Sequence, residues 1–93
     1  MSKRKGSRAE LKAIAILETA GYCCTKAGGS LGVFDVIAIG PVNVRAIQVK
    51  CGTARLSPLE REQIRATDVP PNCTKEYWRF LDYARKPLIE VLS

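Results

Sequence analysis

V-F-D-V-I-A-I-G-P-V-N-V-R-A-I-Q-V-K, residues 33–50, holds two apolar runs, Val33–Ile39 and Val44–Val49, separated by Gly-Pro-Val-Asn. Two runs rich in β-branched residues around such a turn predict a β-hairpin. A four-residue loop, Gly40 to Asn43, sets Ile39 opposite Val44. A two-residue loop, Pro41-Val42, gives the same pairing, but it asks proline for a positive φ that its ring forbids. On either loop Asp35 falls opposite Gln48, and Lys50 follows on the same face, because strand side chains alternate with period two. An acid, an amide and an amine thus gather on one face of apolar strands. Unpaired polar groups are costly on buried strands. They read as a functional cluster; a half-exposed sheet edge touching water is the plainer alternative.

Upstream, Ser7 to Ala20 reads as an amphipathic helix, with Ser7 as N-cap and Gly21 as stop. Its apolar arc carries Ala9, Ala13, Ile14, Ile16, Leu17 and Ala20, with Arg8, Lys12, Glu18 and Thr19 opposite. Glu10 falls inside the arc. It is either a carboxylate aimed toward the hairpin face of Asp35, or the last member of a capping box, Ser7-Arg8-Ala9-Glu10. The residues alone leave both open. Tyr22–Ala27 reads as a short strand, followed by Gly28-Gly29-Ser30-Leu31-Gly32. Three glycines in five residues imply unusual backbone angles or close approach of a ligand, or else an ordinary loose connection. The segment lacks the G-x-x-x-x-G-K-[ST] pattern, so a nucleotide cofactor is not expected.

Asp35 followed by a strand ending Gln48-Val49-Lys50 resembles the PD-(D/E)xK nuclease signature, and more closely the archaeal-type Holliday junction resolvases. The residues carrying the resemblance are Lys5-Gly6-Ser7-Arg8-Ala9-Glu10, Lys26-Ala27-Gly28-Gly29-Ser30, Asp35-Val36-Ile37-Ala38 and Gln48-Val49-Lys50. They lie in roughly the first half of the chain. Two positions depart from the pattern. Gln48 stands where the resemblance has Glu, and Leu11 where it has the Arg of Glu-Arg.

The resemblance implies an α/β, restriction-endonuclease-like fold with an α-β-β-β-α-β core and a mixed central sheet. It implies a Mg²⁺-dependent endodeoxyribonuclease, with Mn²⁺ as a substitute, that nicks four-way DNA junctions symmetrically as a homodimer. Glu10, Asp35, Gln48 and Lys50 become the catalytic set, and Glu10, Asp35, Gln48 and the Val49 carbonyl the metal ligands. Mg²⁺ takes oxygen donors, and glutamine still offers one. Lys50 orients the attacking water or meets charge on the phosphate. DNA contacts are expected from Lys3, Arg4, Lys5, Arg8, Lys26, Ser30 and Arg55. Two other readings stand beside this one: a small structure-specific nuclease of the virus-type replication-repair kind, and a degenerate DNA-binding module with Gln48 as the mark of a lost site. A basic subunit of a larger assembly is a third.

Composition agrees with a nucleic-acid partner. The 93 residues carry 15 Lys and Arg against 9 Asp and Glu, a net charge of +6, which favours a polyanion. A single small domain over residues 7–93 is expected, after a mobile basic arm at residues 1–6. A chain of this length buries a modest core, which a partner subunit would supplement. No run approaches the ~18 apolar residues of a membrane span, and no signal peptide is visible, so an intracellular, cytoplasmic setting is expected, with a phage-encoded origin left open. The absence of histidine removes the usual Ser/His and Cys/His catalytic arrangements. Cys23, Cys24, Cys51 and Cys73 form no C-x-x-C pair, which speaks against structural zinc. Downstream, Ser57-Pro58-Leu59-Glu60 is a capping box opening a helix to about Thr67, with no role assigned to Gln63. Thr74–Leu81 and Pro87–Leu92 read as a closing hairpin, with Trp78 and Phe80 as core and part of its surface serving the dimer.

Overall fold

The computed structural model describes residues 2–27, 33–52, 55–81 and 86–92, with side chains from residue 8 onward. The elements are α1 (Ser2–Thr19), β1 (Cys23–Lys26), β2 (Val36–Ile39), β3 (Val44–Cys51), α2 (Pro58–Ala66), β4 (Cys73–Phe80) and β5 (Leu88–Val91). The five strands form one sheet in the order β1-β2-β3-β4-β5. Pairing is antiparallel except between β3 and β4, which run parallel. The sheet is therefore mixed, and α2 makes the crossover that a parallel pair requires.

The central hairpin has the expected register: Ile39 faces Val44 and Val36 faces Ile47. The ladder runs one bond further into the turn, where the Gly40 N–H donates to the Asn43 carbonyl at 2.8 Å. Pro41 and Val42 thus form the exposed tip, closer to the tighter of the two loops considered.

The two helices cover opposite faces of the sheet. Ala9, Ala13 and Leu17 of α1 pack on Val36, Ala38, Ile47, Val49, Trp78 and Phe80. Ile64 of α2 packs with Ala46, Cys73, Tyr77, Phe34, Leu56 and Leu92 on the other side. The period-two alternation along β3 and β4 separates these sets. Trp78 and Phe80 are core, at 1% and 2% exposure. Tyr77, facing α2, is buried as well.

Two boundaries move. The structure begins α1 at Ser2, so Ser7 lies inside the helix and is not its N-cap. The boundary expected after residue 6 falls within that helix, which runs through Gly6 despite glycine's low helix propensity. A capping box at Ser7–Glu10 is thereby removed. At α2 the expectation holds in full: the Glu60 N–H donates to Ser57 Oγ at 3.1 Å, and the Ser57 N–H donates to Glu60 Oε1 at 2.9 Å.

A buried ion pair ties the α1 side of the sheet together. Glu76, 3% exposed, accepts two bonds from the Arg45 guanidinium, each 2.8 Å. It also accepts from Thr74 Oγ1 at 2.6 Å and from the Trp78 indole at 2.8 Å. Arg45 lies near the rings of Tyr22 and Trp78, at 5.5 and 5.3 Å from their centroids. A buried carboxylate is tolerable only when charge and hydrogen bonds compensate its desolvation, and here Arg45, Thr74 and Trp78 supply both.

Candidate active site

The candidate site lies where β2 begins and β3 ends. Asp35 sits just before β2. Its N–H donates to the Ile47 carbonyl and its carbonyl accepts the Ala27 N–H, both at 2.8 Å. Its carboxylate then takes the next donor of β3, as the Val49 N–H donates to Oδ2 at 2.9 Å. Main-chain and side-chain bonds together fix this acid against the strand that carries Gln48 and Lys50.

On β3, Ala46, Gln48 and Lys50 share the face toward α2. Gln48 is 7% exposed and stands beside Tyr77 of β4 in the parallel register. Lys50 Nζ donates to Glu60 Oε2 at 2.9 Å. Glu60 is half-buried and belongs to the first turn of α2.

Glu10 approaches from α1, on the opposite face of the sheet. It is half-buried, and its carboxyl lies near enough to Asp35 and Lys26 to feel both charges. The face expectation is thus refined. The helix does not lie over the Gln48–Lys50 face, and Glu10 comes within range of the Asp35 charge from the α1 side.

Burial raises the Asp35 carboxyl above its ordinary value, and Glu60 adds to the rise; the Val49 N–H and Lys50 oppose it. Burial also raises Glu10, reinforced by Asp35 and opposed by Lys26. Both acids are destabilised as anions by desolvation first and by negative neighbours second. Glu60 moves the other way: the Ser57 N–H is the largest cause of its lowered value, with the Lys50 ammonium also contributing.

Asp35, Glu10, the Gln48 amide and the Val49 carbonyl are the expected ligands, and their hard oxygens are of the donor type that would suit a cation such as Mg²⁺. Among the described residues no three His, Cys, Asp or Glu side chains group as a metal cluster; Gln48 is an amide where the resemblance has an acid. Arg8, Lys26 and Arg55 are exposed. Ser30 and the side chains of Lys3, Arg4 and Lys5 lie outside the described residues. Gln63 is exposed on α2.

The sequence reading gave Glu60 only a capping role. The available signal was the short connection between Lys50 and the capping box, which brings the first turn of α2 back to the end of β3.

The fold of this mixed sheet and its two helices matches that of a solved Holliday junction resolvase. Holliday junction resolvase Hjc of the archaeal hyperthermophile Archaeoglobus fulgidus shares it, with a TM-score of 0.78, 23% identity, and coverage of 95% of this chain and 73% of that one. No family model and no curated protein sequence matches the chain.

Proposed function

We propose that this protein is a divalent-metal-dependent DNA endonuclease that nicks four-way junctions as a homodimer. The reading is carried by Asp35, bonded to β3 beside Gln48 and Lys50, with the Glu10 carboxyl of α1 near enough to feel the Asp35 charge. The shared fold and the surplus of basic residues support it.

Asp35, Glu10, the Gln48 amide oxygen and the Val49 carbonyl would hold Mg²⁺. Bound there, the cation would supply neutralisation of phosphate charge and activation of a water. Asp35 is the central ligand, since the Val49 N–H fixes one of its oxygens and leaves the carboxylate oriented. Lys50 brings the positive charge that meets the scissile phosphate or aligns the attacking water. Arg8, Lys26 and Arg55, being exposed, are available to the DNA backbone, with Lys3, Arg4, Lys5 and Ser30 completing the proposed contact set. Phosphate contacts of this kind position the duplex without reading its sequence.

The homodimer reading draws support from β5. Leu88, Ile89 and Val91 are 57%, 48% and 58% exposed on an edge strand. An exposed apolar edge invites a second chain. A two-fold dimer would offer two equivalent sites to the related arms of a junction. No helix among the described residues is long and apolar enough to cross a membrane.

Gln48 favours one other reading, a DNA-binding module that no longer cuts. One experiment separates the two: a synthetic four-way junction is incubated with the protein with and without Mg²⁺ or Mn²⁺, while sizing reports the oligomer. Metal-dependent paired nicks are expected, in preference to cutting of linear duplex or flaps. Tight junction binding with no nick in either metal would leave the binding module.

A further inference from the structure

We propose that Glu60 is a positioning residue of the nuclease site, holding the Lys50 ammonium and supplying the negative charge that Gln48 lacks. The inference rests on the nuclease reading above and adds to it a residue from a different element.

The geometry is specific. A glutamate at the third position of a helix commonly uses one oxygen to accept the N-cap N–H and leaves the other to water. In Glu60 the first oxygen, Oε1, accepts the Ser57 N–H at 2.9 Å. The second, Oε2, accepts from Lys50 Nζ, also at 2.9 Å. The capping bond fixes the carboxylate on which the lysine rests. Lys50 and Glu60 retain 23% and 29% side-chain exposure, so the pair borders solvent and is open to a ligand.

Lysine is a flexible four-carbon stem with a point charge at its tip, and holding it in one place costs rotamer freedom. Beside it on β3, Gln48 can offer no charge. Glu10 and Asp35 are balanced by Lys50 and by Lys26, whose charge Glu10 feels; Glu60 tips the group to a net negative charge, which favours a cation. A glutamate at position 48 would have given the same balance. The charge is thus present in this chain, but on α2 instead of β3.

The test is a rescue. Glu60→Gln keeps an oxygen for the Ser57 N–H and removes the charge. It is expected to lower kcat for junction nicking and Mg²⁺ affinity, read by calorimetry without DNA, by about 10- to 100-fold, with little change in KM. Adding Gln48→Glu to that variant is expected to restore Mg²⁺ affinity and most of the nicking. Ser57→Ala weakens the same helix cap without removing the Lys50 partner, and is expected to nick like the wild type. If the wild type nicks and Glu60→Gln stays within about twofold of it in both kcat and Mg²⁺ affinity, the Glu60 assignment is wrong while the nuclease reading stands. Loss in Glu60→Gln that Gln48→Glu leaves unrepaired, or that Ser57→Ala reproduces, reduces Glu60 to a helix cap. A wild type that nicks in neither Mg²⁺ nor Mn²⁺ overturns the nuclease reading, and this one with it.

Discussion

The Asp35 carboxylate accepts the Val49 N–H at 2.9 Å, so a side chain completes the ladder at the point where β2 begins. The same acid is held above its ordinary value of 3.8, mainly by burial. Its anionic form therefore costs folding free energy in the metal-free protein. A raised carboxylate makes stability fall as pH climbs through the interval above 3.8, and the loss persists at neutral pH. Asp35→Asn keeps an oxygen for Val49 and removes the charge. It should abolish nicking, leave junction binding largely intact, and raise the melting temperature of the metal-free protein at neutral pH. Below pH 3.8 the stability gain should disappear. Melts at the two pH values check this, and a variant less stable than the wild type at neutral pH would contradict it.

Gln48→Glu places a fourth acid, beside Glu10, Asp35 and Glu60, at a position only 7% exposed. Without metal it should destabilise the fold, since a buried carboxylate without a partner is unfavourable. With Mg²⁺ the sign reverses, and affinity should rise about tenfold or more. Calorimetric titration of both proteins is the measurement. Equal affinities would mean that the side chain at position 48 does not touch the cation.

Glu76 gives the opposite pH behaviour from Asp35. Burial alone would raise its carboxyl, but the bonds from Arg45, Thr74 and Trp78 outweigh it and the value is lowered. Its stabilisation is complete above the ordinary value of 4.5 and is lost as pH falls through the lower folded value. Glu76→Gln leaves Arg45 without its counter-charge between two rings and should cost about 3 kcal/mol, the low end for a broken buried pair because Arg45 is partly exposed. Chemical denaturation at neutral pH tests the size. The variant should also lose part of the wild type's decline in stability in acid.

Two glycines should fail for different reasons. A Cβ at Gly40 would lie 2.9 Å from the Tyr22 ring and 3.2 Å from the Asn43 carbonyl. That ring cannot swing freely, because its hydroxyl donates to Asn43 Oδ1 at 3.1 Å and Arg45 lies over it. A Cβ at Gly21 would meet open space, but φ there is +96°, a conformation that L side chains rarely adopt. Gly21→Ala should cost about 1 kcal/mol. Gly40→Ala should cost a similar amount and also shift the Tyr22 ring resonances, which Gly21→Ala should leave alone.

Ile89→Lys probes the proposed dimer surface on β5. The side chain is already 48% exposed, so a lone chain should tolerate the lysine. If β5 joins two copies, the variant should size as a monomer and lose the dependence of melting temperature on protein concentration. An unchanged dimer would move the interface elsewhere.

Much of this arrangement is legible in the sequence because local rules agree with the fold. The hairpin register follows from apolar alternation and the turn at Gly40–Asn43, and it fixes Asp35 against the Gln48–Lys50 strand. Ser57-Pro58-Leu59-Glu60 announces the start of α2. The start of α1 was not legible, since Gly6-Ser7 is an acceptable helix start and the helix nonetheless runs through it to Ser2. Glu10's position was legible only as an arc on a helix wheel; which sheet face α1 would cover depends on packing that no local pattern encodes. Glu60 and Glu76 were missed for a common reason. Each meets its partner across elements, Glu60 with Lys50 and Glu76 with Arg45, and both are charged residues that a sequence reading assigns to solvent.

α2 is moored to the sheet by two lysines from neighbouring parallel strands. At one end Lys50 of β3 binds Glu60; at the other Lys75 of β4 donates to the Arg65 and Thr67 carbonyls, at 2.9 and 3.0 Å. Only the first tether belongs to the candidate site. A phosphate that shares Lys50 with Glu60 would therefore load only the first tether, while Lys75, the Arg61–Glu90 pair and the buried Ile64 keep α2 seated on the sheet.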